Sequence, residues 1–402
     1  MRLSKPLRYT LFALLYFTQG TILSYFTALN ALYLLERGLT MTSIGIFGSI
    51  ALIPFVIKIL FGLLSDRVSP FGLGHRKPYI FFGLVVQFAC LIIVPFIDPR
   101  VNYWGFVALA FVLQLGMALY DTCTDGLALD TTPEGEKGTI QGFMVGGRAV
   151  GVIVTASVVG LLAERSTWQA VFWLLAGLTL LPLPLVFAAR EPARPVERKF
   201  DWKAFAAFKK APVLALAGVG FLFFLIVVGA NQLVNPYLQE RFGIELSTAG
   251  LFTTVWGIGV VLGSAVGGLL IDKVGKRSGV RIAMAISVAG VLALAFIPAL
   301  GWAWPIVVLF GVAYGSYQTV YFALAMAYTE PRIAASMFSI LMAVTNVGQG
   351  VGLALGGVLA DKIDYPPTFM VFAALNLLAL PLLPVVFGRA QKKLMHHRRA
   401  VG

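Results

Sequence analysis

The sequence predicts an all-α membrane protein of twelve transmembrane helices in two six-helix halves, and three observations predict it. Of 402 residues, 59% are hydrophobic and only 12% charged, with a mean hydropathy of +0.87, a composition that no soluble surface carries. The charges also punctuate the chain into apolar stretches that reach or exceed the ~20 residues a helix needs to cross a hydrocarbon core about 30 Å thick. Finally, one short pattern recurs at the ends of four of those stretches, at three-helix spacing. The ten-residue alternation of a membrane β-barrel is absent.

Residues 9–35 form the first span, free of charge for 27 residues. The basic start, Arg2, Lys5 and Arg8, has the form of a secretory signal, but no small-residue cleavage site follows, so the segment reads as a retained first helix. Charge punctuation places the other spans near 40–65, 78–97, 103–127, 139–163, 167–189, 211–239, 246–271, 282–299, 303–329, 333–360 and 366–388. Residues 282–329 are too long for one crossing, and Pro298-Ala-Leu-Gly-Trp-Ala-Trp-Pro305 divides them with a turn carrying interfacial tryptophans. Between spans six and seven, residues 190–210 hold seven basic and three acidic side chains with Pro192 and Pro195. This is the expected linker, separating an N-terminal half (1–189) from a C-terminal half (211–402) that ends in a basic tail.

The chain has 31 basic and 18 acidic residues, net +13. With the N-terminus in the cytoplasm, 24 Lys and Arg fall in cytoplasmic segments and five outside (Arg37, Arg100, Arg165, Arg241, Lys362), leaving Lys58 and Arg148 within spans. The bias predicts an inner-membrane protein with both termini cytoplasmic. It accounts for the charge through the anionic leaflet, with no nucleic-acid partner. Cys90 and Cys123 both sit in apolar runs, and His75, His396 and His397 in charged, loop-like sequence, so no disulfide framework, metal site or cofactor is expected. With no His in any span and no nucleophile–base pair, an intramembrane enzyme is not expected either.

The recurring pattern reads Gly62-Leu-Leu-Ser-Asp66-Arg67, Gly160-Leu-Leu-Ala-Glu164-Arg165, Gly268-Leu-Leu-Ile-Asp272-Lys273 and Gly357-Val-Leu-Ala-Asp361-Lys362. It ends spans two, five, eight and eleven, which implies four three-helix units of alternating orientation. Nested inverted repeats of this kind describe a secondary transporter. The first copy runs on through Gly74-His75-Arg76-Lys77-Pro78, and the third through Val-Gly-Lys276-Arg277. This loop resembles the signature of the major facilitator superfamily. A carboxylate at a helix end can hold basic residues and a neighbouring helix terminus in one conformation and release them in another. The expected gate is Asp66, Arg67, Arg76, Lys77, Asp272 and Lys273, joined by Asp130, Glu134 and Glu136.

Over about residues 10–192 the chain is similar, more particularly, to AmpG-type muropeptide permeases and their acetyl-CoA-transporter relatives. The similarity lies in Ser43-Ile-Gly45-Ile-Phe47, Val56-Ile-Lys58-Ile-Leu60, Tyr120-Asp121-x-x-x-Asp125, Asp130-x-x-Pro133-x-Gly-Glu136-x-Gly138, Gly147-Arg148-x-x-Gly151 and Trp168-Gln-x-x-Phe172-Trp173. Two positions depart from it: Gly20-Thr21-Ile22 stands where that family has Gly-Leu-Pro, and Gly74-His75-Arg76-Lys77-Pro78 replaces a run of arginines and is also similar to sugar–cation symporters.

Charges within spans cost about 2.5–3.5 kcal/mol each at a helix centre. Lys58, Asp121, Asp125 and Arg148 lie about 12, 13, 8 and 15 Å from the inner boundary, one layer of the membrane, at 1.5 Å per residue. Asp121 and Asp125 are i, i+4 neighbours, so either each has a cation or one binds a proton. They form a static ion-pair cluster or an ion-coupling site, with Asp121, the deeper carboxylate, as the expected carrier. The resemblance implies that helices one, four, seven and ten line a cavity. Candidate solute contacts are then Tyr16, Gln19 and Asn30; Asn231, Gln232 and Asn235; Tyr314, Tyr317, Gln318 and Tyr321; and Asn346 with Gln349. Glycines at 259, 263, 267, 348, 352 and 356 permit close helix packing. The expectation is a monomeric, proton-coupled importer (or one using another cation) of an organic, amphipathic or sugar-containing small-molecule substrate. The alternatives are a proton-antiport exporter, a sugar–cation symporter and a membrane scaffold protein.

Overall fold

The computed structural model describes residues 4–70, 74–133, 136–189, 191, 202, 205–206, 208–328 and 334–388, excepting the side chains at 66, 67, 129, 137, 138, 141 and 334–336. Among these residues twelve helices are long and apolar enough to cross a membrane: α1 (Lys5–Ala28), α2 (Met41–Ser65), α3 (Lys77–Phe96), α4 (Tyr103–Ala128), α5 (Gly142–Arg165), α6 (Trp168–Ala188), α7 (Ala211–Phe242), α8 (Leu246–Val274), α9 (Lys276–Ala295), α10 (Leu300–Tyr328), α11 (Met337–Ile363) and α12 (Tyr365–Gly388). Polar caps fix several starts. Thr40, Asn102 and Thr167 accept hydrogen bonds from the amides of Ser43, Gly105 and Ala170, satisfying N–H groups that the first helical turn leaves open.

Four boundaries differ from those that the sequence marks. The first span stops at Ala28 and resumes as a short helix, Asn30–Glu36, a one-residue interruption that leaves the hydropathy unbroken. The second is broken twice, into Met41–Ala51, Ile53–Val56 and Lys58–Arg67; Pro54, which has no N–H for the turn before it, accounts for the first break. α9 starts at Lys276 rather than near residue 282. Its first turns carry Lys276, Arg277 and Arg281, long cations that reach the interface while their backbone is helical. The tenth helix also opens earlier, at Leu300, and keeps Pro305 inside it.

The chain divides into two compact units, Met1–Lys199 with Asn235–Gly257, and Phe200–Val234 with Ile258–Gly402. One division falls inside residues 190–210, and the end of α7 and the start of α8 group with the first half. In unit 1, α1 and α5 meet along a seam of glycines. A Cβ on Gly147 would strike the backbone of Ala13, one on Gly151 the backbone of Phe17, and one on Gly20 the backbone of Arg148. α8 packs on α5 in the same manner: Gly160 and Gly250 lie against each other's helices, and Ser157 and Thr254 hydroxyls hydrogen-bond at 2.9 Å. Away from these seams an aromatic cluster fills the unit, with Tyr25 on Phe172 (5.2 Å) and Tyr33 on Trp168 (4.8 Å).

Unit 2 is built around a core of Leu216, Phe223, Tyr317, Tyr321, Leu341 and Leu383. The glycines of α8 and α11 do what their spacing implies. Gly259 and Gly263 sit against the backbone of α10 at Val308 and Val312, and Gly348 and Gly352 against α7 at Phe221 and Leu225.

Candidate functional site

Unit 1 gathers ionisable side chains from four helices at one level. α4 carries Asp121 and Asp125 one turn apart on a common face. α1 supplies Tyr16 and Gln19, three residues apart and so also on one face. The break at Ile57 makes Lys58 the first residue of a restarted helix. The glycine seam between α1 and α5 sets Arg148 level with Gly20. Gln19 Nε2 donates to Asp121 Oδ1 at 2.5 Å, and Lys58 Nζ pairs with Asp121 Oδ2 at 3.5 Å. The Tyr16 hydroxyl donates to Asp125 Oδ1. The Asp121 side chain is 8% exposed and that of Lys58 35%.

Two of the four charges thus pair and two do not. Asp125 has no cation at ion-pair distance among the described residues; a neutral hydroxyl holds it. Arg148 is exposed and has neither hydrogen bond nor ion pair among the described residues, although its charge is close enough to act on Tyr16 and Asp125. The expected carrier, Asp121, is therefore the better compensated carboxylate, with both oxygens engaged, and Asp125 is the one left without a counter-charge.

The uncharged candidates separate by environment. Tyr16 and Gln19 belong to the cluster just described. Asn30 is buried, and its Oδ1 lacks a hydrogen-bond partner among the described residues. Asn235 is 4% exposed and spent on structure: its Nδ2 donates to the carbonyls of Ala28 (2.7 Å) and Ala249 (3.3 Å) and to the Thr253 hydroxyl (3.0 Å). In unit 2, Gln232 bridges to the Leu353 carbonyl at 3.1 Å, and Gln349 donates to Asn346 at 3.0 Å. Tyr317 stacks on Phe223 with ring centroids 3.7 Å apart and donates to Asn376 Oδ1. Tyr321 is fully buried beside Gly220. Both tyrosines are placed as packing side chains, whereas Asn231, Tyr314 and Gln318 are only half-buried.

The expected gate residues have different partners among the described residues. Asp66 and Arg67 side chains lie outside the described residues, as do Glu134 and the histidines of the C-terminal tail. Arg76 is buried, donating to Ser65 Oγ at 2.5 Å and facing Asp130 at 3.5 Å. Glu136 lies instead against the start of α1, pairing with Lys5 at 3.1 Å and with Arg8 and accepting from the Tyr9 hydroxyl at 3.0 Å. The hydrogen bond from Lys5, then that from Tyr9, hold its carboxyl below the ordinary 4.5. Asp272 and Lys273 are exposed, without an ion pair among the described residues.

Two acids have roles that pattern reading missed. Glu191, at the end of the first half, accepts the amides of His75 (2.6 Å), Arg76 (2.8 Å) and Lys77 (2.5 Å), capping α3. Gly74 makes this possible, with φ of +112° and no room for a Cβ beside that carboxylate. Glu164, present in the repeat, accepts the Ser247 amide at 3.0 Å at the start of α8. Each carboxylate meets the positive end of a helix, and the only hint in sequence is an acid near a span end.

Charged, hydrogen-bonding side chains are thus held among helices long and apolar enough to span a membrane, the arrangement of a polytopic membrane protein. The chain belongs to the Major Facilitator Superfamily, whose family model matches residues 9–340. It resembles AmpG-type permeases: the Anhydromuropeptide permease of Escherichia coli K12 is 23% identical over 266 residues, covering 64% of this chain and 52% of that protein. The Sialic acid transporter NanX of the same organism is 24% identical over 252 residues, 60% of this chain and 59% of that protein. The chain therefore spans little more than half the length of these two relatives. Among solved structures, that of the nucleoside transporter NupG (D323A mutant) superposes with a TM-score of 0.80 at 14% identity, covering 94% of this chain and 99% of that one.

Proposed function

We propose that this transporter imports an organic, sugar-containing solute across the inner membrane by proton symport, working as a monomer with both termini in the cytoplasm. The observation that carries the reading is the uneven pairing of the two carboxylates on α4. Asp121 is fixed by Lys58 and Gln19, while Asp125 is held only by the Tyr16 hydroxyl. Two carboxylates one turn apart repel, and a proton on the uncompensated one relieves the repulsion. Asp125 is then the carrier, and Asp121 with Lys58 keeps it in place. A proton moving down a 100 mV potential supplies about 2.3 kcal/mol for solute accumulation. The permease and sialic acid transporter relatives suggest sugar-derived solutes; within unit 2 the half-buried Asn231 and Gln318 are polar side chains that such a solute would meet.

The test is uptake of labelled anhydromuropeptide and sialic acid into proteoliposomes under an imposed pH gradient. Accumulation above equilibrium with the outside acidic, lost in Asp125→Asn while downhill exchange persists, is the expected result. Uptake indifferent to the gradient in the native protein refutes proton coupling, and outward-only pumping refutes import.

A further inference from the structure

Arg148 has no use in the coupling scheme just given, although it is a charge within a span and so costly to place. A guanidinium within a membrane span is stable only with a counter-charge or water. Asp121 is taken by Lys58 and Gln19. Asp125 engages the Tyr16 hydroxyl and lies outside ion-pair distance of any cation among the described residues. The α1–α5 glycine seam, with Gly147 on Ala13 and Gly151 on Phe17, fixes the backbone of α5 against α1. The exposed Arg148 is thereby held at the level of Gly20, one turn from Tyr16 along α1, near enough for its charge to act on Tyr16 and Asp125. Its five donors, in a planar fork, match an oxyanion bidentately.

Charge arithmetic says when that fork needs an occupant. Lys58 and Arg148 balance Asp121 and Asp125 while both carboxylates are ionised. Once Asp125 holds a proton, the cluster carries one net positive charge, and Arg148 is the group that bears it. We propose that Arg148 is an anion-binding residue of the solute site, so that the transported solute is an organic oxyanion, a carboxylate or a phosphate ester, taken up together with the proton. The proposal rests on the proton-coupled reading for its pH dependence, but not for the site itself. The groups that face Asp125 are Tyr16 from α1, Lys58 from α2, Asp121 from its own helix and Arg148 from α5. None of the others is an uncompensated cation, so the proton and the anion enter as a neutral pair.

The experiment measures binding by ligand-dependent thermal shift of the purified full chain with charge-matched probes: sialic acid against its methyl ester, and N-acetylglucosamine 6-phosphate against N-acetylglucosamine. A ligand bound to the native state raises Tm by mass action. At least one acid stabilises the native protein, more strongly at pH 5.5 than at 7.5, and its neutral partner does not; which acid does so distinguishes carboxylate from phosphate. Arg148→Gln weakens that binding about ten- to a hundredfold, the worth of a hydrogen bond to a charged group, and Arg148→Lys retains part of it. Without ligand, Arg148→Gln melts no lower than the native protein, because no native contact is removed; a lower melt marks Arg148 as structural and overturns the proposal. So does equal stabilisation by acid and ester, or no stabilisation by either acid. Acid binding that needs Arg148 but ignores both pH and Asp125→Asn keeps the subsite and refutes proton coupling. Proton-driven uptake of a neutral sugar unimpaired in Arg148→Gln does the reverse.

Discussion

Gly146 and Gly147 are adjacent on α5 and face different surroundings, which isolates the packing contribution of the seam that positions Arg148. A Cβ on Gly146 would meet nothing within 4 Å, whereas one on Gly147 would lie 2.9 Å from both the Cα and the carbonyl carbon of Ala13. Those are backbone atoms of another helix and cannot swing aside. Replacing Gly by Ala gains about 1 kcal/mol of helix propensity at either position, so that contribution cancels between the two variants. What remains is the overpacking of Gly147→Ala, about 1–3 kcal/mol. Gly146→Ala should therefore melt at or above the native temperature. Gly147→Ala should melt lower than Gly146→Ala by about 2–12 °C, taking 2–4 °C per kcal/mol for a unit of this size. Thermal unfolding in detergent, followed by tryptophan fluorescence, reads the difference directly. Equal melting temperatures would refute the close approach of α1 and α5, and with it the argument for where Arg148 stands.

Three further outcomes follow from contacts in unit 1. Asp121→Asn and Lys58→Met should each destabilise, and the double variant should recover about 1 kcal/mol relative to their sum, a modest coupling because Lys58 is partly exposed; additive melting shifts would mean that the pair is not coupled. Asn235→Ala removes three hydrogen bonds from a buried amide and should cost about 1–3 kcal/mol, measured as a fall in Tm; an unchanged Tm contradicts the bridge. Glu136 has a depressed carboxyl pKa from its bonds to Lys5 and Tyr9, so its stabilisation is present above pH 4.5 and fades as the pH falls through the lower folded value. Tm measured from pH 3 to 7 should show this loss, and Glu136→Gln should flatten that part of the profile.

The twelve helices were legible because membrane insertion acts on exactly the property that hydropathy measures, and the facilitator fold because the repeat and loop motifs survive in order. Boundaries failed where charge and helix end do not coincide. Lys276, Arg277 and Arg281 are charged and helical together, and Leu29 interrupts a helix without any charge at all. At the site, the i, i+4 spacing put Asp121 and Asp125 on one face of a helix, whereas the place of Tyr16 and Gln19 beside them came only with the fold. Helical spacing could not separate Tyr314 from Tyr317, because a stripe of three tyrosines spans both a core face and a half-buried one. Glu191 was invisible for a different reason: it caps a helix more than a hundred residues earlier in the chain, and no local pattern encodes that approach.

Under the proposed proton coupling, the choice between the two α4 carboxylates sets depth against counter-charge. Depth along the helix axis favours Asp121 as proton carrier, since a deeper carboxylate loses more hydration. Depth, however, enters the balance together with counter-charge, and an ion pair with further hydrogen bonding offsets the loss of hydration for the ionised form. Lys58 and Gln19 provide that offset to Asp121 and leave Asp125 with a hydroxyl. If counter-charge rather than depth governs, Asp125→Asn should abolish the dependence of uptake on the pH gradient. Lys58→Met, which removes the cation from Asp121 but leaves the Tyr16–Asp125 bond, should keep that dependence. Coupling lost in Asp121→Asn and kept in Asp125→Asn would return the carrier to the deeper position and make the Tyr16–Asp125 bond a structural one.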